Sequence, residues 1–475
     1  MNRHTRLKTR IALGASIGLA VCAAAYADPL PDSFTYAGVT LFATIDVGYA
    51  YQSNGVPLNS RFPGGLEYQS FTTTRNFSGS QSTLAESGEE QSKIGLRFDI
   101  PVGYDFNAVG RVDTGFNPLS GQLTDACASI ADNSPLPQGK QTANADSSRC
   151  GQAFNGVMYG GLSNKDFGTL TIGRQQSLQL DALANFDPQA LSYAFSFLGY
   201  SGFNGGGGST QAARWDNSAK YVYQNGPVRV AAEYSNGGDD TGILGKAYGG
   251  EVGVNIAGLS VDGVYENEKG AVNLRSSFDN APNYPLPTPG LAAYISNDTS
   301  WNAMAKYVFD LGGSADPKAA SDKLALFAGY SHIQKAHSSL TGLSQGDYPL
   351  DIAININDSA EYNMEWVGAK FSMPVGLSFT GAYYHISQNS WTIGLLPTGT
   401  QGIGCADAGL LCAGKFDEVS LSVDFAFSKR YDAYAGVNWS EVQDGLANGF
   451  AGTTKNGNAG SENQTTFMIG YRIRL

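Results

Sequence analysis

Apolar and polar residues alternate along most of the chain with the two-residue period of a β-strand. From Leu41 to Tyr51 the apolar side chains fall on one face, while Thr44 and Asp46 fall on the other. This period indicates a strand with one apolar and one polar environment. The pattern predicts sixteen strands, at about 39–51, 92–100, 106–116, 154–162, 168–175, 213–224, 227–236, 247–256, 258–268, 299–310, 323–333, 359–373, 376–388, 416–427, 431–442 and 464–475.

The connections between these strands alternate between short and long. Tight turns, such as 164–167 and 428–430, are followed by long polar segments at about 52–91, 117–153, 176–212, 269–298, 334–358, 389–415 and 443–463. Inside hydrocarbon every backbone N–H and C=O must be paired, so strands can span a membrane only in a sheet that closes on itself. Short turns on one side and long loops on the other are typical of such barrels. We therefore predict an all-β protein, a 16-stranded antiparallel transmembrane β-barrel, rather than a soluble β-sandwich or β-helix.

The last predicted strand illustrates the two environments. Its apolar residues, ending at Leu475, share one face, whereas Arg472 and Arg474 lie on the other. Arginines that alternate with apolar residues are unsuited to a dry core and suited to a water-filled lumen.

Composition and the N-terminus support export to a membrane. Only 15% of the residues are charged, and there are 60 Gly, 25 Tyr and 24 Phe, which disfavours a helical soluble enzyme. The basic start, the apolar run from Ile11 and the motif Ala25-Tyr26-Ala27 predict a cleaved secretory signal peptide at 1–27, with the barrel at 28–475. The signal carries four of the 30 basic residues and none of the 42 acidic ones, so the mature net charge is −16, which disfavours nucleic-acid binding.

Four cysteines remain after the signal, as two local pairs in polar segments. In an exported protein this arrangement predicts loop disulfides Cys127–Cys150 and Cys405–Cys412, with free thiols as the alternative. No CxxC motif is present, and we predict neither a metal site nor a cofactor.

Several segments in sequence order resemble the general porin family of the Gram-negative outer membrane. They are KIGLRF at 93–98, TGFNP at 114–118, FGTLTIGRQ at 167–175, RWDNSAKY at 214–221 and the closing aromatic strand. The resemblance implies a homotrimer of sixteen-stranded barrels, a third external loop (176–212) folded into the lumen, and passive diffusion of ions and small hydrophilic solutes. It also implies contact with outer-membrane lipid and lipopolysaccharide, and no enzymatic activity.

The resemblance also implies a pore constriction with a basic and an acidic wall. Lys93, Arg174 and Arg214 match the family's basic wall, and Arg111 joins them because its predicted strand face is inward. Asp181 and Asp187 would form the acidic wall from the third loop. Opposed charges across a narrow pore orient dipolar solutes.

The sequence departs from the family pattern in two respects, which leave alternative functions open. The chain ends in Leu475 where the family usually has an aromatic residue, and several loops are long, which would suit a solute-selective porin. Aromatic residues of the third loop, Tyr193, Phe195, Phe197 and Tyr200, would either contact solute or pack on the barrel wall. An outer-membrane enzyme or adhesin is a further alternative, with His385 beside Ser387 as its weak candidate site.

Overall fold

Sixteen antiparallel strands close into a barrel, as the alternation predicts. The computed structural model describes residues 34–55, 57–61, 79–136, 142, 149–200, 213–237, 245–275, 291–312, 321–338, 344–345, 348–356, 358–391, 413–444 and 460–475. The predicted signal peptide and the predicted Cys405–Cys412 pair lie outside these residues.

Most barrel strands agree closely with the predicted spans. They are β2 (Val39–Gln52), β4 (Lys93–Gly103), β5 (Phe106–Gly115), β6 (Met158–Asn164), β7 (Gly168–Gln176), β8 (Arg214–Asn225), β9 (Val228–Asn236), β10 (Lys246–Ile256), β11 (Leu259–Arg275), β12 (Leu291–Asp310), β13 (Lys323–His337), β16 (Ala360–Ser372), β17 (Leu377–Gln388), β18 (Gly414–Ala426), β19 (Tyr431–Asp444) and β20 (Gly460–Arg474). Four further strands were not predicted: β1 (Phe34–Tyr36), β3 (Gln81–Glu86), β14 (Ser344–Gln345) and β15 (Tyr348–Asn355).

The barrel closes between the first and the last of its strands. β20 pairs with β2 in antiparallel register, from Arg474 opposite Thr44 to Thr466 opposite Gln52. β3 and β4 both pair with β2, at its two ends. They therefore form one barrel strand that is interrupted at residues 87–92, which we call the strand interruption.

The predicted faces are confirmed in the strands next to the closure. On β2, Ile45 and Tyr49 are exposed on the outer surface, whereas Asp46 is buried on the inner side. On β20, Phe467 is 56% exposed and Thr466 is fully buried. The apolar band therefore faces outward, and the polar residues face the interior of the barrel.

Within the described residues, three helices lie in the connections between strands. They are α1 (Ala126–Asn133), α2 (Leu178–Phe186) and the short α3 (Phe197–Tyr200). No helix among the described residues has the length and hydropathy needed to cross a membrane.

The connection between β5 and β6 carries α1 and the predicted Cys127–Cys150 disulfide, which is confirmed. We call it the disulfide loop (117–157). Ile130 of α1 packs in an apolar cluster with Val272 of β11 and Ile295 of β12. Because β5 is the third barrel strand while β11 and β12 are the ninth and tenth, this loop reaches the opposite side of the barrel. There the strands extend into the segment that we predicted as a loop at 269–298.

Candidate functional site

The connection that follows β7, residues 177–198, packs against the inner faces of distant strands; we call it the α2 loop. Ser177 caps α2 by accepting a hydrogen bond from the Leu180 N–H, and Glu266 of β11 accepts one from the Gln179 N–H at 3.0 Å. At the other end of α2, the Lys306 ammonium of β12 donates to the Asn185 carbonyl at 2.9 Å. An acid at the N-terminus and a cation at the C-terminus both complement the helix dipole.

Beyond α2 the loop continues along the barrel wall. The Trp366 indole N–H of β16 donates to the Phe186 carbonyl at 3.1 Å, and the Gln189 amide exchanges hydrogen bonds with Ser420 and Ser422 of β18 at 3.0 and 2.8 Å. The Ala194 N–H then donates to the Gly88 carbonyl in the strand interruption at 2.8 Å. The α2 loop is thus tied to three separate parts of the barrel wall.

Two of the loop aromatics are buried in this packing. The Phe195 ring meets Tyr434 of β19 edge to face, with ring centroids 6.4 Å apart, and the Phe197 ring contacts Phe416 of β18 at 4.5 Å. Of the two interpretations considered for these aromatics, packing on the wall is therefore confirmed for Phe195 and Phe197.

Asp187 holds the turn that follows α2. Its carboxylate accepts hydrogen bonds from the Tyr384 hydroxyl and the Ser196 hydroxyl, both at 2.6 Å, and from two backbone N–H groups, one of them that of Leu191 at 2.6 Å. Ala190 and Leu191 have φ values of 53° and 61°, a left-handed conformation that costs energy in residues other than glycine. Burial raises the pKa of Asp187, although the hydrogen bonds from Ser196 and Tyr384 lower it. This side chain is an internal anchor of the loop.

A second anchor, Asp46 on β2, shapes the strand interruption. Its carboxylate accepts hydrogen bonds from the Glu89 and Glu90 N–H groups at 2.9 and 2.8 Å and from the Tyr434 hydroxyl at 2.6 Å. Glycine is favoured at position 88, because a Cβ there would overlap the Tyr434 hydroxyl and Met468 unless their side chains shifted. The interruption thereby carries two glutamates on the inner side of the barrel.

Between the turn of the α2 loop and the wall lies a cavity of about 270 Å³, which we call the charged cavity. Three cationic and three carboxylate side chains line it, together with Thr380 and the uncharged residues 188–190. The charged residues are Glu89, Glu90, Lys370, Asp424, Arg472 and Arg474.

Most of these charges are paired with one another. Glu90 contacts the Lys93 ammonium at 2.8 Å and the Arg474 guanidinium at 3.3 Å, and Arg474 also pairs with Asp432. Arg472 lies 2.9 Å from Asp432 and 4.0 Å from Asp424. Lys370 makes no ion pair within the part of the chain that the structure describes.

The predicted basic residues are distributed over two regions. Lys93 borders the charged cavity through Glu90, and Arg111 on the next strand pairs with Asp113 at 2.6 Å. The guanidinium carbons of Arg111 and Arg97 lie 5.1 and 5.3 Å from the ring centroid of Phe42, within cation–π range.

The other two predicted basic residues lie near the disulfide loop. Arg174 pairs with Asp216 at 2.6 Å and donates to the Gly156 carbonyl at 3.0 Å, and its side chain is only 9% exposed. Arg214 lies close enough to Arg149 and Arg174 to be repelled by their charges. These two arginines do not line the charged cavity.

The predicted acidic residues are also separated. Asp181 on α2 pairs with Lys220 of β8 at 2.8 Å, and Lys220 also lies 3.2 Å from Glu233. Asp187 is buried in the α2 loop as described. The carboxylates of the charged cavity come instead from the strand interruption and from β18.

Sequence reasoning placed Arg472 and Arg474 on an inner face but did not bring them together with Asp424. The glutamates of the strand interruption fell in a segment predicted as a loop, and Lys370 lies in a strand whose faces were not assigned. Lys370 could have been identified from the sequence by comparing strands. It is an inward-facing charged residue at the same height in the barrel as charged residues on nearby strands.

Comparisons with known proteins are consistent with this architecture. A family model described as Gram-negative porin matches residues 12–445. None of the curated proteins matches the chain at a significant level.

Solved structures of outer-membrane proteins share the fold. The anion-selective porin from Comamonas acidovorans is 17% identical, with a TM-score of 0.55, over 92% of this chain and 99% of that one. In-vitro folded OmpT of Vibrio cholerae is 12% identical, with a TM-score of 0.52, over 94% and 100%. Its trimer form is 13% identical, with a TM-score of 0.51, over 92% and 99%.

Proposed function

Because the chain belongs to the Gram-negative porin family, we propose that it forms an outer-membrane channel for passive diffusion of small hydrophilic solutes and ions, without a cofactor or a chemical reaction. The observation that carries this proposal is the charged cavity on the inner wall of a closed barrel. Charged groups that line a water-filled passage favour hydrated solutes over apolar ones.

The α2 loop would narrow this channel. Its hydrogen bonds to β16, β18 and the strand interruption hold residues 188–190 opposite the charged wall. The constriction therefore lies between an uncharged turn and a charged wall, in place of the two charged walls implied by the family resemblance.

We also propose that three barrels assemble into a trimer. The support is the trimer form of a structurally similar outer-membrane protein and the apolar outer faces of β4 to β7, where Ile94, Leu162 and Ile172 are exposed. The lipid-facing remainder would contact outer-membrane lipid and lipopolysaccharide.

The position of His385 favours the channel over the enzyme alternative. Its ring nitrogen Nδ1 lies 2.8 Å from the Asp417 carboxylate, which also accepts a hydrogen bond from the Tyr383 hydroxyl. Tyr383 is on the exposed outer face of β17, and His385 shares that face because it is the second residue after Tyr383 in the strand. A catalytic site there would face lipid or another subunit.

Conductance of the purified, folded protein in planar bilayers tests the proposal. We expect ohmic current steps in KCl, grouped in threes if the trimer inserts as a unit. Replacing Lys93 by glutamine should change the size of the step only modestly, because Glu90 keeps a second cationic partner in Arg474. A folded barrel that passes no current would refute the channel, whereas single steps would refute only the trimer.

A further inference from the structure

The charged cavity has a pattern of charge that fits solutes carrying both signs. Building on the channel function above, we propose that it is a transit site for zwitterionic solutes of amino-acid size, which it passes in preference to anions or cations of equal size. The solute carboxylate would meet Lys370 and its ammonium group would meet Asp424.

The signs of the charges alternate around the wall. Lys370 lies on β16 and Asp424 on β18, the two arginines follow on β20, and the glutamates of the strand interruption come next. Because neighbouring strands are about 4.8 Å apart and these groups stand on every second strand, opposite signs recur about every 10 Å along the wall, a distance that the long side chains shorten as they reach inward. An ion of one sign is attracted by one group and repelled by the next, whereas a zwitterion can be attracted by both.

Lys370, Asp424 and Glu89 are the charged groups of the cavity that stand outside its tight ion pairs, and Lys370 with Asp424 offers a solute one group of each sign. Arg474, Glu90 and Asp432 are joined in one ion-pair network, and Arg472 is held by Asp432 at 2.9 Å. Lys370 has no carboxylate partner among the described residues, and Asp424 reaches Arg472 only at 4.0 Å. The charge of Lys370 acts on Asp424 and also on Glu89. Thr380 of β17 lies between them and leaves the wall polar and uncharged at that point.

The opposite side of the cavity adds no charge to this pattern. Residues 188–190 of the α2 loop are Pro, Gln and Ala, and the nearest acid, Asp187, is turned away into the loop. With three cations and three carboxylates the cavity is formally neutral, although the mature chain carries a net charge of −16. Discrimination between solutes therefore depends on how their charges are arranged more than on their net charge.

Tracer uptake into proteoliposomes in symmetrical KCl tests the proposal with three molecules of similar size. Glycine should enter about fivefold faster than glycolate or ethanolamine, the factor expected for one weak ion pair. Lys370→Gln and Asp424→Asn should each remove most of this advantage and shift the reversal potential in a KCl gradient, towards cations and towards anions respectively. The double variant, Lys370→Gln with Asp424→Asn, should return the reversal potential to the wild-type value but should not restore the preference for glycine.

Arg97→Gln is the matched control, because Arg97 is an exposed cation on the inner side that does not line the cavity. It should leave the preference for glycine unchanged. If the wild-type channel conducts KCl but glycine enters no faster than the two ions, the zwitterion site is refuted and the channel stands. If neither KCl nor any of the three solutes passes, the channel itself is refuted. The wild-type comparison decides the matter even if a variant does not fold.

Discussion

Single residues decide how the inner surface of this barrel is built. The carboxylates of Asp46 and Asp187 accept hydrogen bonds from backbone N–H groups and tyrosine hydroxyls of the protein itself, and they do not face solutes. A buried carboxylate of this kind is stabilised by charge-assisted hydrogen bonds, each stronger than a neutral one. Sequence alone cannot distinguish such an anchor from a lumen-facing acid, because both occupy polar positions of a loop or an inner strand face. This is why Asp187 was assigned to the acidic wall.

Gly88 gives the sharpest prediction at the residue scale. Gly88→Ala should destabilise the folded protein by roughly 1–3 kcal/mol, because the added methyl group overlaps the buried Tyr434 hydroxyl and Met468. The free energy of unfolding in urea, measured in lipid bilayers, checks this value.

Gly160→Ala is the matched control for that substitution. Its Cβ would have only the Val109 carbonyl within reach, at 3.9 Å, on the exposed face of a strand. We expect little change in stability there. Equal losses for the two variants would show that the strand interruption does not depend on close packing at Gly88.

Strands were predictable from the chain, whereas the elements that fill the barrel were not. The two-residue period identified β2 and β20 with the correct faces, since lipid and water impose opposite preferences on alternate residues. β3 was missed because the strand interruption breaks the period at 87–92, and the polar side chains of Gln81, Ser82 and Thr83 resemble a loop. The course of the α2 loop depends on partners far away in sequence, such as Trp366 and Gly88, and no local pattern encodes them.

The disulfide loop gives a prediction at the scale of an element. Its bond closes a segment with a sequence separation of 23 residues, for which the chain-entropy model gives about 3 kcal/mol of stabilisation. Cys127→Ser with Cys150→Ser should therefore release α1 from β11 and β12 and increase the rate of proteolysis within residues 126–133. Cleavage of the folded protein, followed by mass spectrometry, measures the release.

The variant Ile130→Asp distinguishes the contribution of the disulfide from that of the apolar packing around α1. This variant keeps the disulfide but places a charge in the apolar cluster around Val272 and Ile295. If the disulfide alone holds the loop, Ile130→Asp will resist proteolysis like the wild type. Cleavage at α1 in both variants would show that the bond and the apolar contact act together.

At the scale of the whole molecule, the selectivity of the channel should follow the charges at its narrowest part and not the net charge of the chain. Arg472→Gln removes a cation from the charged cavity, so we expect the reversal potential in a KCl gradient to shift towards cations. Arg174→Ala should leave the reversal potential nearly unchanged, because this guanidinium is buried and does not line the charged cavity. It should instead destabilise the fold by about 1–3 kcal/mol, because the Gly156 carbonyl loses the hydrogen bond that the Arg174 guanidinium donates. The reverse result, a selectivity shift from Arg174→Ala and none from Arg472→Gln, would move the constriction from the charged cavity to β7 and β8, where the family resemblance placed it.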